Sequence, residues 1–182
     1  MIERRLKLLK IHEMRVSSQL IIKPITDKDI TTDYIEWMND IDITRYTEQK
    51  YKKHNFETIK NFIIQTNNSS SNLLYGIFFE NKHIGNIKLG SINLFHKTAD
   101  LSYLIGSKKN WGKGIATNSI SVISNLAFTD LKLSKISAGV YSNNLASIRV
   151  LEKNKFQREG IRLKQYIFNK ERVDGFIYGK FS

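Results

Sequence analysis

Two glycines stand within Trp111-Gly-Lys-Gly-Ile-Ala-Thr117, where an apolar strand pattern gives way to a helical one. Glycine at such a junction leaves backbone N–H groups at the positive end of a helix dipole with no Cβ in front of them, which makes an anion cradle. The spacing matches neither the P-loop nor the dinucleotide Gly-x-Gly-x-x-Gly, since Ala116 and Thr117 stand where a third glycine would be sought, so the pair alone leaves an ordinary turn open. A second cluster places Asn144 and Ser147 after a strand and at the opening of the next helix. Both are N-cap types, so capping and ligand contact are both open there. Lys113 and Lys153, one beside each cluster, could meet phosphates as point charges or stay solvated.

The elements that must position these residues follow from hydrophobic period. Gln19 to Pro24 reads as a strand, and Thr26 to Asp29 as an N-cap ahead of a helix carrying Ile30, Tyr34, Trp37 and Met38. Phe56, Ile59, Ile63 and Ile64 share one helical face, and Thr66 to Asn72 reads as a solvated loop. Three antiparallel strands follow over Leu73 to Glu80, His83 to Gly90 and Ala99 to Ile105. The loop Gly106 to Gly114 leads into a helix to about Asp130, then come a strand at Lys135 to Tyr141, a short helix at Ser147 to Lys153 and two final strands. Residues 1–18 read as an extension in which Ile2, Leu6 and Leu9 fall at helical spacing, with one domain over 19–182 and no linker between domains.

Composition narrows the function classes. A chain of 182 residues that is 41% hydrophobic can bury a core without a staple. It has no cysteine, which excludes disulfides, Cys-ligated zinc, iron–sulfur clusters and cysteine nucleophiles, and four scattered histidines restore no metal site. No apolar run reaches a membrane span, and the start lacks the apolar core and cleavage site of a signal peptide, so a cytoplasmic home is expected. The formal net charge of +12 suits a polyanionic partner, although Lys enrichment from an AT-rich genome explains it equally well. A nucleic-acid-binding or acyl-CoA-binding module is the non-enzymatic alternative, against which stands the lack of an RNP-type aromatic signature or a basic recognition helix.

Taken together, the clusters resemble the GNAT superfamily of acyl-CoA N-acyltransferases, and within it the branch of ribosomal-protein and sugar-nucleotide N-acetyltransferases. The pyrophosphate motif of that superfamily, Gln/Arg-x-x-Gly-x-Gly/Ala, is matched by Trp111, Gly112, Lys113, Gly114, Ile115 and Ala116, with Trp first. Its later Asn-x-x-Ser motif and Leu-rich helix are matched by Asn144, Ser147, Leu151 and Phe156. Asp100 and Asp174 fall where the branch has acids, while Lys155 replaces a Gly and Leu151 replaces a Tyr general acid. The likeness covers residues 19–181 and implies a single-domain α+β (α/β) fold, a mostly antiparallel mixed sheet of about seven strands flanked by about four helices.

The resemblance also implies acetyl-CoA as acyl donor, no metal, and a primary amine as acceptor, and it leaves a homodimer open. Backbone of Tyr103, Leu104 and Ile105 would face the donor, Trp111 to Thr117 would hold its pyrophosphate, and Asn144 would bond its pantetheine arm. Asp100 is the first candidate for the base that a neutral amine requires, acting after desolvation or through water, with a structural ion pair as the alternative. Ser147 resembles the serine that serves as acid in this branch, and solvent is the alternative. Trp37, Arg45 and Tyr46, with Tyr34, Asn39 and Asp40 nearby, fall in the region that shapes the acceptor site, although Trp37 also suits a core. The acceptor is expected to be a nucleotide-linked amino sugar or other small amine, or alternatively a protein α-amine.

Overall fold

The computed structural model describes residues 8–182, so Ile2 and Leu6 lie outside the described residues. Eight strands form one sheet in the order β1-β2-β3-β4-β5-β6-β8-β7. They are β1 (Met14–Arg15), β2 (Leu20–Pro24), β3 (Leu73–Phe79), β4 (Lys82–Asn93), β5 (Thr98–Ile105), β6 (Lys135–Tyr141), β7 (Gln157–Phe168) and β8 (Glu171–Phe181). The strand beyond the expected seven is β1, whose two residues carry no period to read; it pairs with β2 through Met14 and Ile22. Just before it Leu9 is buried and its carbonyl accepts a hydrogen bond from the Tyr75 hydroxyl at 2.8 Å.

Side-chain alternation feeds two cores, one on each face of the sheet. Leu73, Tyr75 and Ile77 of β3 and Ala99 and Leu101 of β5 pack under helices α4 (Ile115–Asn125) and α5 (Leu145–Lys153). Leu74 faces the other way, onto Tyr34 and Trp37 of α1 (Thr32–Asn39) and Ile59 and Ile63 of α3 (Phe56–Asn68). The four-residue α2 (Ile41–Thr44) turns the corner between α1 and α3. The structure extends α3 through Asn68, into the stretch expected to be loop. The Asn67 side chain donates to the Ile25 carbonyl at 2.9 Å, so a tertiary bond holds a polar helix end that has no apolar signal, while Thr66 Oγ1 bonds back within the helix to the Phe62 carbonyl. Beyond Asn125 the expected long helix loosens into one wide turn, Leu126–Asp130.

One pairing differs from the rest: β5 and β6 are parallel, and the others are antiparallel. Their register covers Thr98 with Lys135, Ala99 with Ile136 and Asp100 with Ser137, and stops there. Beyond it β4 continues to pair with β5 and β8 with β6, so the sheet splits down its middle. Alternate backbone N–H and C=O groups of Leu101–Ile105 and Ala138–Tyr141, those not bonded to β4 or β8, face the gap without each other.

Candidate active site

A cavity of about 600 Å³ occupies that gap, walled by Leu101–Ile105 on one side and Ala138–Tyr141 on the other. At its mouth the chain leaves β5 and enters α4. Trp111 Nε1 donates to the Ile105 carbonyl at 2.8 Å and pins the loop to the strand end. Gly112 and Gly114 then take φ of +75° and +76°, the left-handed region that a side chain strains. A Cβ at either would meet nothing within 4 Å, so both glycines face open space. Gly114 is also the N-cap of α4 and supplies no side-chain acceptor, leaving the first amides of the helix, at Ile115, Ala116 and Thr117, for a ligand. This is a cradle that a diphosphate fits: bare amides at a helix start, approached through space that no side chain fills.

The other clusters close the cavity from α5. Asn144 and Ser147 both line it, and Asn144 Oδ1 caps the helix by accepting from Ser147 N at 3.2 Å, so the cap does not remove either residue from the site. Arg149 and Lys153 line its α5 wall and Arg45 and Tyr46 its far end. Lys113 is not part of it; its ammonium bonds Asn110 Oδ1 at 3.1 Å and sits over the Phe79 ring, so this exposed charge is directed away from the cavity. Lys155, in the place of a glycine, does adopt that residue's conformation, with φ of +65° just past the helix end. Leu151 is buried and also lines the cavity, offering no proton.

A second cavity of about 440 Å³ lies on the opposite face of β5 and shares Thr47, Ser102, Tyr103 and Leu104 with the first. Tyr34 stands in its wall, and burial pushes its phenol up to about 12. Its oxygen accepts from Asn86 Nδ2 at 2.8 Å, and Asn86 Oδ1 in turn lies 2.9 Å from His83 Nε2. Since Asn86 oxygen can only accept, His83 Nε2 carries the hydrogen, and the Tyr34 proton is left to donate elsewhere. Burial among Tyr34, Trp37 and Phe78 holds His83 below the usual imidazole range. Lys52, Lys53, His54 and Lys88 line the same cavity, and no carboxylate does. The three lysines make no ion pair within the described residues. Asn39 fixes His54 in place, accepting from its backbone N–H at 2.9 Å and donating to its carbonyl at 2.8 Å.

Besides Lys113, two expected site residues fall outside both cavities. Trp37 is buried in the second core, and its indole fills the space where a Cβ on Gly106 would have to sit. Asp100 is exposed on β5, two residues short of Ser102, where β5 still pairs with β6 and the gap has not yet opened. Asp40 serves the corner instead, capping α2 and pairing with Lys108 at 2.8 Å, which holds its carboxyl below the usual range. Lys52, Lys53, His54, Asn86 and Lys88 were missed in the sequence. The signal for two of them was present: Asn86 and Lys88 are two apart on β4, opposite the end of β5.

A family model described as the acetyltransferase (GNAT) domain matches residues 19–157. An uncharacterized N-acetyltransferase of Bacillus subtilis (strain 168), YoaA, is 33% identical over 160 residues, covering 84% of this chain and 86% of its own. Among solved structures, the microcin C7 self-immunity acetyltransferase MccE in complex with acetyl-CoA and AMP superposes with a TM-score of 0.81 at 22% identity, over 93% of this chain and 96% of that one. RimL, a ribosomal α-N-protein acetyltransferase in complex with coenzyme A, gives 0.82 at 18% identity, over 93% and 98%. At such identities the two structures speak for the fold, and the family match bears out the motif resemblance.

Proposed function

The chain belongs to the acetyltransferase (GNAT) domain family and is an N-acetyltransferase of that type, and we propose that it acetylates the amine of a nucleotide-linked amino sugar with acetyl-CoA as donor. The observation that carries this reading is the pairing of a diphosphate cradle with a second cavity lined by cations and no carboxylate. A polyamine would enter that second cavity against three lysines, whereas a phosphate-bearing amine would be drawn in. A protein α-amine next to acidic residues is the second reading, and the same lysines favour it over a basic peptide.

Bound acetyl-CoA supplies an acyl thioester, whose carbonyl an amine can attack directly. The chain's own residues do the rest. Gly112, Gly114 and the first amides of α4 take the diphosphate, and Arg149 and Lys153 stand near enough to meet further phosphate charge. The backbone amides of Tyr103 and Ile105, which point away from β4, and the Asn144 side chain would receive the arm, and one of those N–H groups would stabilise the oxyanion. In the second cavity Tyr34 donates to an acceptor oxygen, held by Asn86 and His83 behind it. The surrounding lysines favour loss of a proton from the incoming ammonium, because like charge destabilises the charged form. Asp100 lines neither cavity, so it is not the direct base in this reading, and Ser147 lines the donor side.

Release of CoA thiol from acetyl-CoA, measured against nucleotide-linked amino sugars, peptides with free α-amines and polyamines, tests the acceptor. Turnover concentrated on the sugars is expected. Turnover on polyamines alone would overturn the reading, and turnover on acidic peptides alone would replace it with the second.

A further inference from the structure

The Tyr103 hydroxyl is buried and has no hydrogen-bond partner. Most buried phenols find one, and an orphan in a cavity wall marks a group that a ligand satisfies. Tyr103 lines both cavities at the point where they meet, with its ring packed against the core under α4 and α5. Burial raises the phenol, and Ser147 on the same cavity wall is near enough to moderate that rise without forming a hydrogen bond to it. Ser147 lines the donor cavity and does not line the acceptor cavity. The donor cavity's other ionisable walls are Asp42, Arg45 and Tyr46 near the α2 corner, Arg149 and Lys153 on α5, and Tyr141 on β6; the Tyr46 hydroxyl is already donated to the Asn143 carbonyl and the Tyr141 hydroxyl faces Lys50. Asp42 is tied up with Lys108 at 2.8 Å. No carboxylic acid, thiol or imidazole therefore stands free in that cavity among the described residues, and Leu151 cannot serve.

We propose that Tyr103 is a catalytic hydrogen-bond donor to the sulfur of the donor thioester, with Ser147 as its partner. The proposal rests on the reading that acetyl-CoA occupies the first cavity. As the amine nitrogen bonds to the carbonyl carbon and the C–S bond breaks, the electron pair of that bond passes to sulfur. The Tyr103 hydrogen bond steadies the charge there without surrendering its proton, since a buried phenol is a weaker acid than a thiol. The proton shed by the amine leaves to solvent, and the thiolate regains one from solvent through Ser147.

The test needs no acceptor. Free CoA is bound to the protein and the thiolate fraction is read by its ultraviolet absorbance across a pH series, for wild type and Tyr103→Phe. Phe keeps the ring in place and removes one oxygen. The bound thiolate fraction at a given pH should fall about tenfold in Tyr103→Phe, the worth of a hydrogen bond to a charged group, with CoA affinity within about twofold of wild type. Ser147→Ala, which leaves the ring untouched, should give a smaller fall in the same direction. An unchanged thiolate fraction in Tyr103→Phe would overturn the proposal, and so would a fall matched by an equal loss of CoA affinity and of Tm. Wild type that binds no CoA would instead overturn the placement of the donor on which the proposal stands.

Discussion

Gly114→Asp separates what the loop does for the fold from what it does for a ligand. A carboxylate at the N-cap of α4 suits the helix, because acidic residues favour its positive end and Asp tolerates the left-handed region better than Ala. Stability should therefore change little. The same carboxylate would project into the open space in front of the first amides, where the phosphates are placed. At about 5 Å and an effective dielectric near 20 the repulsion is roughly 3 kcal/mol per phosphate charge, and solvent screening at so exposed a loop reduces it to about 1.5–2. Acetyl-CoA Kd should rise roughly 10- to 30-fold. Gly114→Asn has the same shape without the charge, and should lose only about 3-fold. Calorimetric titration of acetyl-CoA into the three proteins, with Tm measured beside it, gives both quantities. Equal affinity for wild type and Gly114→Asp would refute the cradle, and equal losses in Asp and Asn would refute the electrostatic part.

Gly106→Ala should destabilise by about 3 kcal/mol through overpacking, a fall in Tm of roughly 6–12 °C for a chain this size, since the added methyl overlaps Trp37; a fall under ~2 °C in thermal melts would contradict the assignment of Trp37 to the core. Asp100→Asn should keep kcat within about threefold of wild type between pH 6 and 9, whereas loss of a direct general base costs about 100-fold or more, and a loss of that size would put Asp100 in the proton path. His83 is held below its ordinary value of 6.5 by burial, so an unfolded chain binds a proton that the folded one refuses. Stability contributed by neutral His83 is present above pH 6.5 and declines as pH falls from there toward the folded value. Tm measured from pH 7.5 to 5 should drop more steeply in wild type than in His83→Gln, and parallel curves would exclude the histidine as the cause.

Much of the fold was legible because period and burial agree. β6 reads directly from the apolar run Lys135–Tyr141, and α5 from an amphipathic stretch headed by Asn144. The glycine loop was legible because positive φ at 112 and 114 asks for the residue type found there. What could not be read depends on three-dimensional partners. α3 outruns its hydrophobic signal because Asn67 finds the distant Ile25 carbonyl to bond. Trp37 has an interface-like composition, yet Gly106 gives its indole a bed in the core. Asp100 misses the cavity by one residue because the point where β5 and β6 part is set by their flanking partners, β4 and β8, and leaves no mark in either strand. Lys52, Lys53 and Lys88 come from two distant segments whose convergence on one cavity only the fold creates.

The most direct test of the account compares kcat/KM for an amino sugar with and without its phosphate, in wild type and in Lys88→Glu, at saturating acetyl-CoA. Wild type should prefer the phosphorylated acceptor by about tenfold or more, as one desolvated charge contact provides, and Lys88→Glu should lose that preference with KM for acetyl-CoA unchanged. A wild type that prefers the unphosphorylated amine, or a Lys88→Glu variant that discriminates as well as wild type, would contradict the assignment of the second cavity to an anionic acceptor.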